Sequence, residues 1–452
     1  MNLLKMNIAS VLILSNFSLL LFVLNIPGTI ALRNTLAGFL LIILILNWVK
    51  NEFSIRPLIR NKDFANTIYI LLALTIYIFL HSVFIADEKS WSLSQYRTQW
   101  IYPMLYFLIG ILLGHLSSIT GYFSKSRLIN FIFWTLFLHI FYLDLIAIYK
   151  YLENGQLLYR YGGLTNSSVL ANYITNLLIS MIIVEYIYRF KTKERMININ
   201  LYFLFFILLM CVFSSIVEGM RFGVISLFFM SLTGLVFFII DNPKYDYKVK
   251  ILVAISIFLL CSAPLLYNAK SDSRWETLIE TIPIALDTES NLQWRDNSEA
   301  PLLSNGQRAS KSNYLRIAWI SKGLEYISND FFGIGYGRNV FGHAIEKYED
   351  DATGIRGYHS HSSLIDLTIG IGLLGLFIWL FFVIRLIFIT SKIFLNTGNY
   401  FALLSVFIIS GFFIRSFVDS NMRDHMFKQF FILLGIALSL TFYEQIKNKK
   451  TI

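Results

Sequence analysis

The sequence predicts an all-α polytopic membrane protein with about 12 transmembrane helices and one large, partly helical loop outside the membrane. Apolar runs long enough to cross a bilayer, about 17–25 residues each, recur along the chain, and one long polar stretch, 268–361, interrupts them. Composition agrees, with 56% hydrophobic residues, 15% charged residues and a mean hydropathy of +0.61. This divides the chain into N-terminal transmembrane helices over 1–267 (about nine spans), the loop 268–361, and C-terminal transmembrane helices over 362–452 (about three spans).

Taken in order, the spans fall near 7–25, 32–49, 67–85, 100–116, 129–149, 168–187, 201–217, 222–240, 251–267, 363–384, 401–414 and 427–443. Lys5 precedes the first run, and Asn25-Ile26-Pro27-Gly28 follows it in place of a small-residue cleavage site. It reads as an uncleaved span. The run at 401–414 is short and continues toward Arg415. Both cysteines, Cys211 and Cys261, lie inside apolar runs, so no disulfide framework is expected.

The net charge of +10 would suggest nucleic acid in a soluble protein. Here the basic residues gather in alternate short connections, such as Lys50–Lys62, Arg189–Arg195, Lys244–Lys250 and Lys447–Lys450. That is the orientation signal of a membrane protein, and no nucleic-acid partner is expected. It puts both termini on the cytoplasmic side and the long loop on the outer side. No internal repeat is visible, so an inverted-repeat transporter has no support. The apolar spans carry few charges, which collect instead at the outer edge.

Within the loop, apolar residues recur at helical spacing from Ser312 to Ser328, and Gly333, Gly335 and Gly337 then end any helix. These glycines read as turn residues that admit close backbone approach, not as a nucleotide fingerprint, which needs a strand before it and a helix after it. A helix in such a loop is expected to pack back on the spans or lie along their surface.

Two groups of residues carry the chemistry. His359 and His361 stand one residue apart just before a span, and a histidine is the usual proton acceptor at neutral pH. The bland alternative is a pair of interfacial polar anchors. A metal pair lacks an obvious third ligand, because Asp366 lies on the following helix and Glu349-Asp350-Asp351 reads as solvated surface, so no metal is expected. The second group is a set of arginines at the outer edge: Arg221 after Glu218-Gly219-Met220, Arg316 in the loop helix, Arg160 in Arg160-Tyr161-Gly162-Gly163, and Arg97 before Trp100. A guanidinium stays charged and binds phosphate bidentately, which suits a lipid pyrophosphate. Snorkelling to lipid headgroups is the competing account, strongest for Arg97 and Arg160. Asp87-Glu88 in another outer connection is a weaker acid, base or metal candidate.

The order Arg316-x-x-Trp319, Gly333-x-Gly335-x-Gly337 and His359-x-His361, leading into the glycine-rich span Leu364–Gly375, resembles the O-antigen ligase family, which shares its fold with O-antigen polymerases. Arg160–Asn166 and Met220-Arg221-Phe222-Gly223 resemble upstream motifs of that family. Two positions depart from it: Ser362 stands where asparagine often follows the second histidine, and Met220 where serine usually precedes the arginine. The resemblance implies a multi-pass protein of the bacterial inner membrane with a periplasmic loop. It implies transfer of a glycan from undecaprenyl pyrophosphate to a hydroxyl of lipid A–core oligosaccharide, with no cofactor and no metal. It assigns His361 as general base, His359 as second candidate or orienting partner, Arg221 and Arg316 as pyrophosphate ligands, and Arg160, Arg97 and Tyr336 as weaker substrate contacts. The polymerase of the same fold and, in another class, a lipid-linked oligosaccharide flippase are the alternatives.

Overall fold

A computed structural model describes residues 8–50, 55–119, 123–241, 251, 266, 267, 270, 272, 274–349 and 355–450. Among the described residues there are no strands, and the structure is 78% helical. Among the described residues, eight helices are long and apolar enough to cross a membrane: Ile30–Val49, Lys62–Phe84, Lys89–Ser118, Lys125–Asn154, Ser168–Thr192, Leu201–Glu218, Ser363–Thr397 and Asp424–Lys447. Three shorter apolar helices, Ile8–Val23, Ile225–Ile240 and Tyr400–Ser416, occupy positions where the sequence predicts spans. Most of the span expected at 251–267, with Cys261, lies outside the described residues, as do Asp350 and Asp351 of the acidic run.

Helix ends differ from the hydropathy reading where polar residues continue a helix past its apolar centre. The span expected at 363–384 continues to Thr397, and that at 401–414 runs through Arg415 to Ser416. The spans also hold more buried charge than their hydropathy suggests. Asp144, Glu185 and Glu218 are all buried. Each has a partner: Ser214 donates to Asp144 at 2.6 Å, Arg189 to Glu185 at 2.7 Å, and Asn172 to Glu218 at 2.8 Å. A single carboxylate within a long apolar run barely lowers its mean hydropathy.

Two packing features fix the arrangement of the helices and the loop. The helices Tyr102–Ile119 (α1) and Asp424–Lys450 (α2) meet through small residues, as membrane helices do when their backbones approach closely. A Cβ on Gly110 would lie 2.2 Å from the Ile432 carbonyl oxygen, and one on Gly435 2.4 Å from that of Phe107. The second feature is a break in the helix Ser363–Thr397 (α3), where Ile371 and Gly372 leave helical geometry and Gly372 takes φ +70° and ψ 179°. The glycine run of the loop lies against this break. Ile334 N–H donates to the Ile369 carbonyl, Gly335 N–H to that of Gly370, both at 2.9 Å, and Leu373 N–H to that of Phe331 at 3.0 Å. The Tyr77 hydroxyl donates to the Ile371 carbonyl at 2.8 Å. So the loop glycines do admit close backbone approach, and their partner is a broken span.

The rest of the described loop is helical and has its own apolar centre. The helix Lys311–Asn329 (α4) buries Tyr314, Leu315, Ala318, Trp319 and Tyr326, at the spacing expected of a helix with one apolar face. They pack with Trp294, Val340, Phe341 and Ile345. α4 folds back on the membrane bundle: a Cβ on Gly323 would meet the Ile365 side chain of α3 at 2.4 Å.

Gly372→Ala should be strongly destabilising, because its Cβ would lie 2.4 Å from the Phe332 carbonyl oxygen in a backbone region open only to glycine. We expect a loss of about 1–3 kcal/mol from strain alone, read as a lower thermal midpoint in detergent. Gly38→Ala, with no atom within 4 Å, serves as control. Equal midpoints for the two variants would refute the stitched-break account.

Candidate active site

His359 and His361 lie in the short non-helical segment between the loop and α3. His361 holds φ +59°, a left-handed conformation costly for a residue with a Cβ. Its ring stacks on Trp319, with centroids 5.4 Å apart and 16° between planes, and Tyr358 stacks on the same indole at 5.7 Å. Arg316 and Trp319 are three residues apart on α4, so both project from one face of that helix. This is the physical content of the Arg-x-x-Trp spacing: the indole seats the histidine ring while the guanidinium lies beside it. Ser362 caps α3, its side chain accepting from Ile365 N–H. Serine and asparagine cap equally well, so the departure at 362 leaves the turn unchanged.

His359 is held from behind. The Ser420 hydroxyl lies 3.0 Å from His359 Nδ1 and 2.8 Å from Asp366 Oδ2, while Ser360 N–H donates to Asp366 Oδ1 at 2.9 Å. The backbone N–H of His361 donates to His359 Nδ1 at 3.3 Å, and the two rings are 4.4 Å apart. Asp366 thus orders the turn through Ser420.

Two cavities meet at this point. One, of about 330 Å³, is the more polar of the two and is lined by His359, His361, Arg316, Arg338, Arg415 and Arg423 with Asp419 and Ser420, alongside apolar Val169, Leu170, Met220 and Met426. The other, of about 290 Å³, is mostly apolar and lined by Ile225, Trp275, Leu278, Ile317 and Ile320, with Arg221, Arg316 and His361. Arg316, His361 and Val418 line both cavities. Arg221, which opens the helix Arg221–Asp241, is fixed in place. Its guanidinium donates to Asn313 Oδ1 of α4 at 2.7 Å, lies 3.8 Å from Asp272, and sits 5.5 Å from the Trp275 ring. Arginines distant in sequence therefore reach one cavity because α4 folds back over the spans.

Burial, followed by the charge of Arg316, pushes His361 down to about 4. Burial likewise holds His359 well below the ordinary imidazole range, with the charges of Arg423 and His361 next in effect. Both rings are therefore neutral at pH 7, the form that accepts a proton.

The structure does not bring every expected contact residue here. Arg97 is exposed in a π-helical turn, Tyr96–Ile101, and Arg160 is exposed with φ +56°. Neither lines these cavities. Tyr336 is buried, its hydroxyl donating to the Gln99 carbonyl at 3.2 Å, and it lines a small cleft with Asp366, Ser420 and Arg423 apart from the two cavities. Conversely, the sequence analysis singled out none of Arg338, Arg415, Asp419, Ser420 and Arg423 as site residues. The signal was the polar run Arg415–His425 between two spans. Arg415 has a structural place as well: it donates to Asp419 and the Val169 carbonyl, each at 2.8 Å, and to Asn172 at 3.1 Å. Among the described residues no group of three or more His, Cys, Asp or Glu side chains is placed to hold a metal ion.

In histidine-labelled protein, we expect the His361 ring to stay neutral down to about pH 5, against the value near 6.5 of a free imidazole. NMR of the ring nitrogens, with His361→Gln supplying the assignment, reads this directly. A midpoint near 6.5 would contradict the burial described here.

No curated protein matches the chain. Residues 203–380 match the family model described as O-antigen ligase. That stretch holds Arg221, Arg316, Trp319, the glycine run, both histidines and the break in α3, and over it the chain is similar to the O-antigen ligase family.

Proposed function

We propose that the protein is an O-antigen ligase of the bacterial inner membrane that joins a lipid-linked glycan to a hydroxyl of lipid A–core oligosaccharide. The observation that carries this reading is the wall shared by the two cavities. An apolar cavity with arginines at its edge suits a polyprenyl pyrophosphate, which is greasy over its length and doubly charged at its head. A polar cavity beside it suits a sugar acceptor. His361 and Arg316 stand where the two would meet.

In this reading Arg221 and Arg316 hold the undecaprenyl pyrophosphate of the donor. A ring nitrogen of His361 takes the proton from the acceptor hydroxyl as its oxygen bonds to the anomeric carbon. The bond from that carbon to the pyrophosphate oxygen breaks, and the charge developing there is stabilised by the guanidiniums. Arg316 lowers the basicity of His361 while the site is empty. A bound pyrophosphate offsets that field, so the base strengthens when the donor is in place. His359 orients the turn, and the lipid pyrophosphate is itself the leaving group, so no metal or other cofactor enters a step. The outer face of the bundle is then the periplasmic side, with both termini in the cytoplasm.

A lipopolysaccharide gel of a strain lacking the protein tests the reading. Loss of a ligase leaves bare core and accumulates lipid-linked polymer, whereas loss of a polymerase leaves core bearing one repeat unit. Core substituted by single units in that strain would exclude the ligase.

His361→Ala should lower transfer by roughly a hundredfold to ten-thousandfold, the usual contribution of a general base, with membrane insertion unchanged. In the same purified assay the kcat/KM of the native enzyme should stay flat from pH 8 to about 5.5, because the base is protonated only as pH falls toward its depressed value. Full activity of His361→Ala would refute the mechanism, and an acid limb near pH 6.5 would refute the electrostatics assigned to the base.

Arg221→Lys and Arg316→Lys keep the charge but lose the planar fork. Each should weaken donor binding by roughly 1.5–3 kcal/mol, the worth of a charge-assisted hydrogen bond. Wild-type donor affinity in both variants would remove the pyrophosphate from this site.

A further inference from the structure

A separate groove lies between the helix Ile30–Lys50 (α5) and α1. It encloses about 240 Å³ and is lined by Asn34, Ala37, Gly38 and Leu41 on α5 and by Tyr102, Leu105, Tyr106 and Ile109 on α1. It shares no lining residue with the two cavities of the candidate active site. Gly38 has open space where a side chain would stand. The groove is apolar along its length and polar at its mouth.

Three observations at the mouth point to a ligand. Tyr106 is only 4% exposed, yet its hydroxyl has no hydrogen-bond partner among the described residues. A buried polar group in that state is costly unless something else supplies the bond. Lys428 of α2 stands over both tyrosines, its Nζ 5.6 Å from the Tyr102 ring and 5.8 Å from the Tyr106 ring. No carboxylate among the described residues forms an ion pair with it. Arg33, buried at the start of α5, adds a second cation within electrostatic range of Lys428 and Tyr106. The nearby carboxylate, Asp424, is already paired with Arg338 at 3.1 Å. The mouth therefore carries excess positive charge beside an unsatisfied hydroxyl, above a channel of apolar side chains.

We infer that this groove holds a bilayer phospholipid with an anionic headgroup, its phosphate at Lys428 and Tyr106 and one acyl chain along Gly38, Leu41, Leu105 and Ile109. A neutral lipid would fill the channel but leave the cations unbalanced. A free anion would meet the cations but leave the channel empty. The site is independent of the transfer reaction proposed above. It adjoins the polar cavity through α2, since His425 and Met426 line that cavity one turn or less before Lys428.

Native mass spectrometry of the full-length protein in detergent tests this, with phosphatidylglycerol and phosphatidylcholine of matched chains as probes. We expect the wild type to retain one phosphatidylglycerol in preference to phosphatidylcholine. Lys428→Gln should reduce that preference about fivefold, the worth of roughly 1 kcal/mol per cation at a lipid surface. Gly38→Leu, which fills the channel, should abolish retention of either lipid while the thermal midpoint without lipid stays at the wild-type value. Excess inorganic phosphate should not displace the bound lipid. Equal retention of the two lipids, an unchanged preference in Lys428→Gln, retention in Gly38→Leu, or displacement by phosphate would each overturn the proposal.

Discussion

The structure depends on hydrogen bonds between a loop and a broken membrane helix. Where α3 breaks at Ile371 and Gly372, the carbonyls of Ile369, Gly370 and Ile371 and the N–H of Leu373 lose helical partners. In a bilayer such groups have no water to turn to, and each would cost several kcal/mol if left bare. The segment 331–335 and Tyr77 supply the partners. Only residues without a Cβ fit there: one on Gly333 would lie 2.5 Å from Gly372 N, and one on Gly372 inside the Phe331 and Phe332 carbonyls. The break and the glycine run therefore require each other, and the loop is joined to the membrane domain at a fixed register.

That register decides where the chemistry sits. With 331–335 anchored, α4 lies over the start of α3, and its face carries Asn313 to Arg221 and Trp319 to His361. Burying several arginines in one region is unfavourable by itself. Asp272 and Asp419 offset part of it, the first paired with Arg274 and near Arg221, the second accepting from Arg415. What remains is positive potential in an apolar-walled space, fixed before any substrate arrives. Preorganised charge of this kind stabilises developing negative charge without reorganisation at the moment of reaction.

Much of this was legible in the chain. Period and length showed the helices, because an apolar span is a strong signal over about 20 residues. The helix 312–328 was visible within one residue of each observed end, and the resemblance at Arg316, Trp319 and His361 pointed to residues that do converge. The lining contributed by 415–425 was legible only as a polar run between two spans. Those residues read as a short hydrophilic turn, and only the tertiary arrangement shows them facing the histidines. The buried carboxylates Asp144 and Glu218 were hidden for a related reason: their partners, Ser214 and Asn172, come from other helices. Tyr336 and Arg97 mark the opposite case, residues conspicuous in sequence that serve the buried frame or the exposed rim.

The pairing of Arg316 and Trp319 also governs how the loop can vary in length. One residue inserted between them would swing the arginine by about 100° around the helix axis and part it from the histidine it adjoins. An insertion in the exposed turn 304–306 would leave both side chains in place. Such insertions would enlarge only the exposed rim of the loop. Loop length and the seating of Arg316 beside His361 are thus separable in this architecture, so the rim can change while the paired side chains stay where they are.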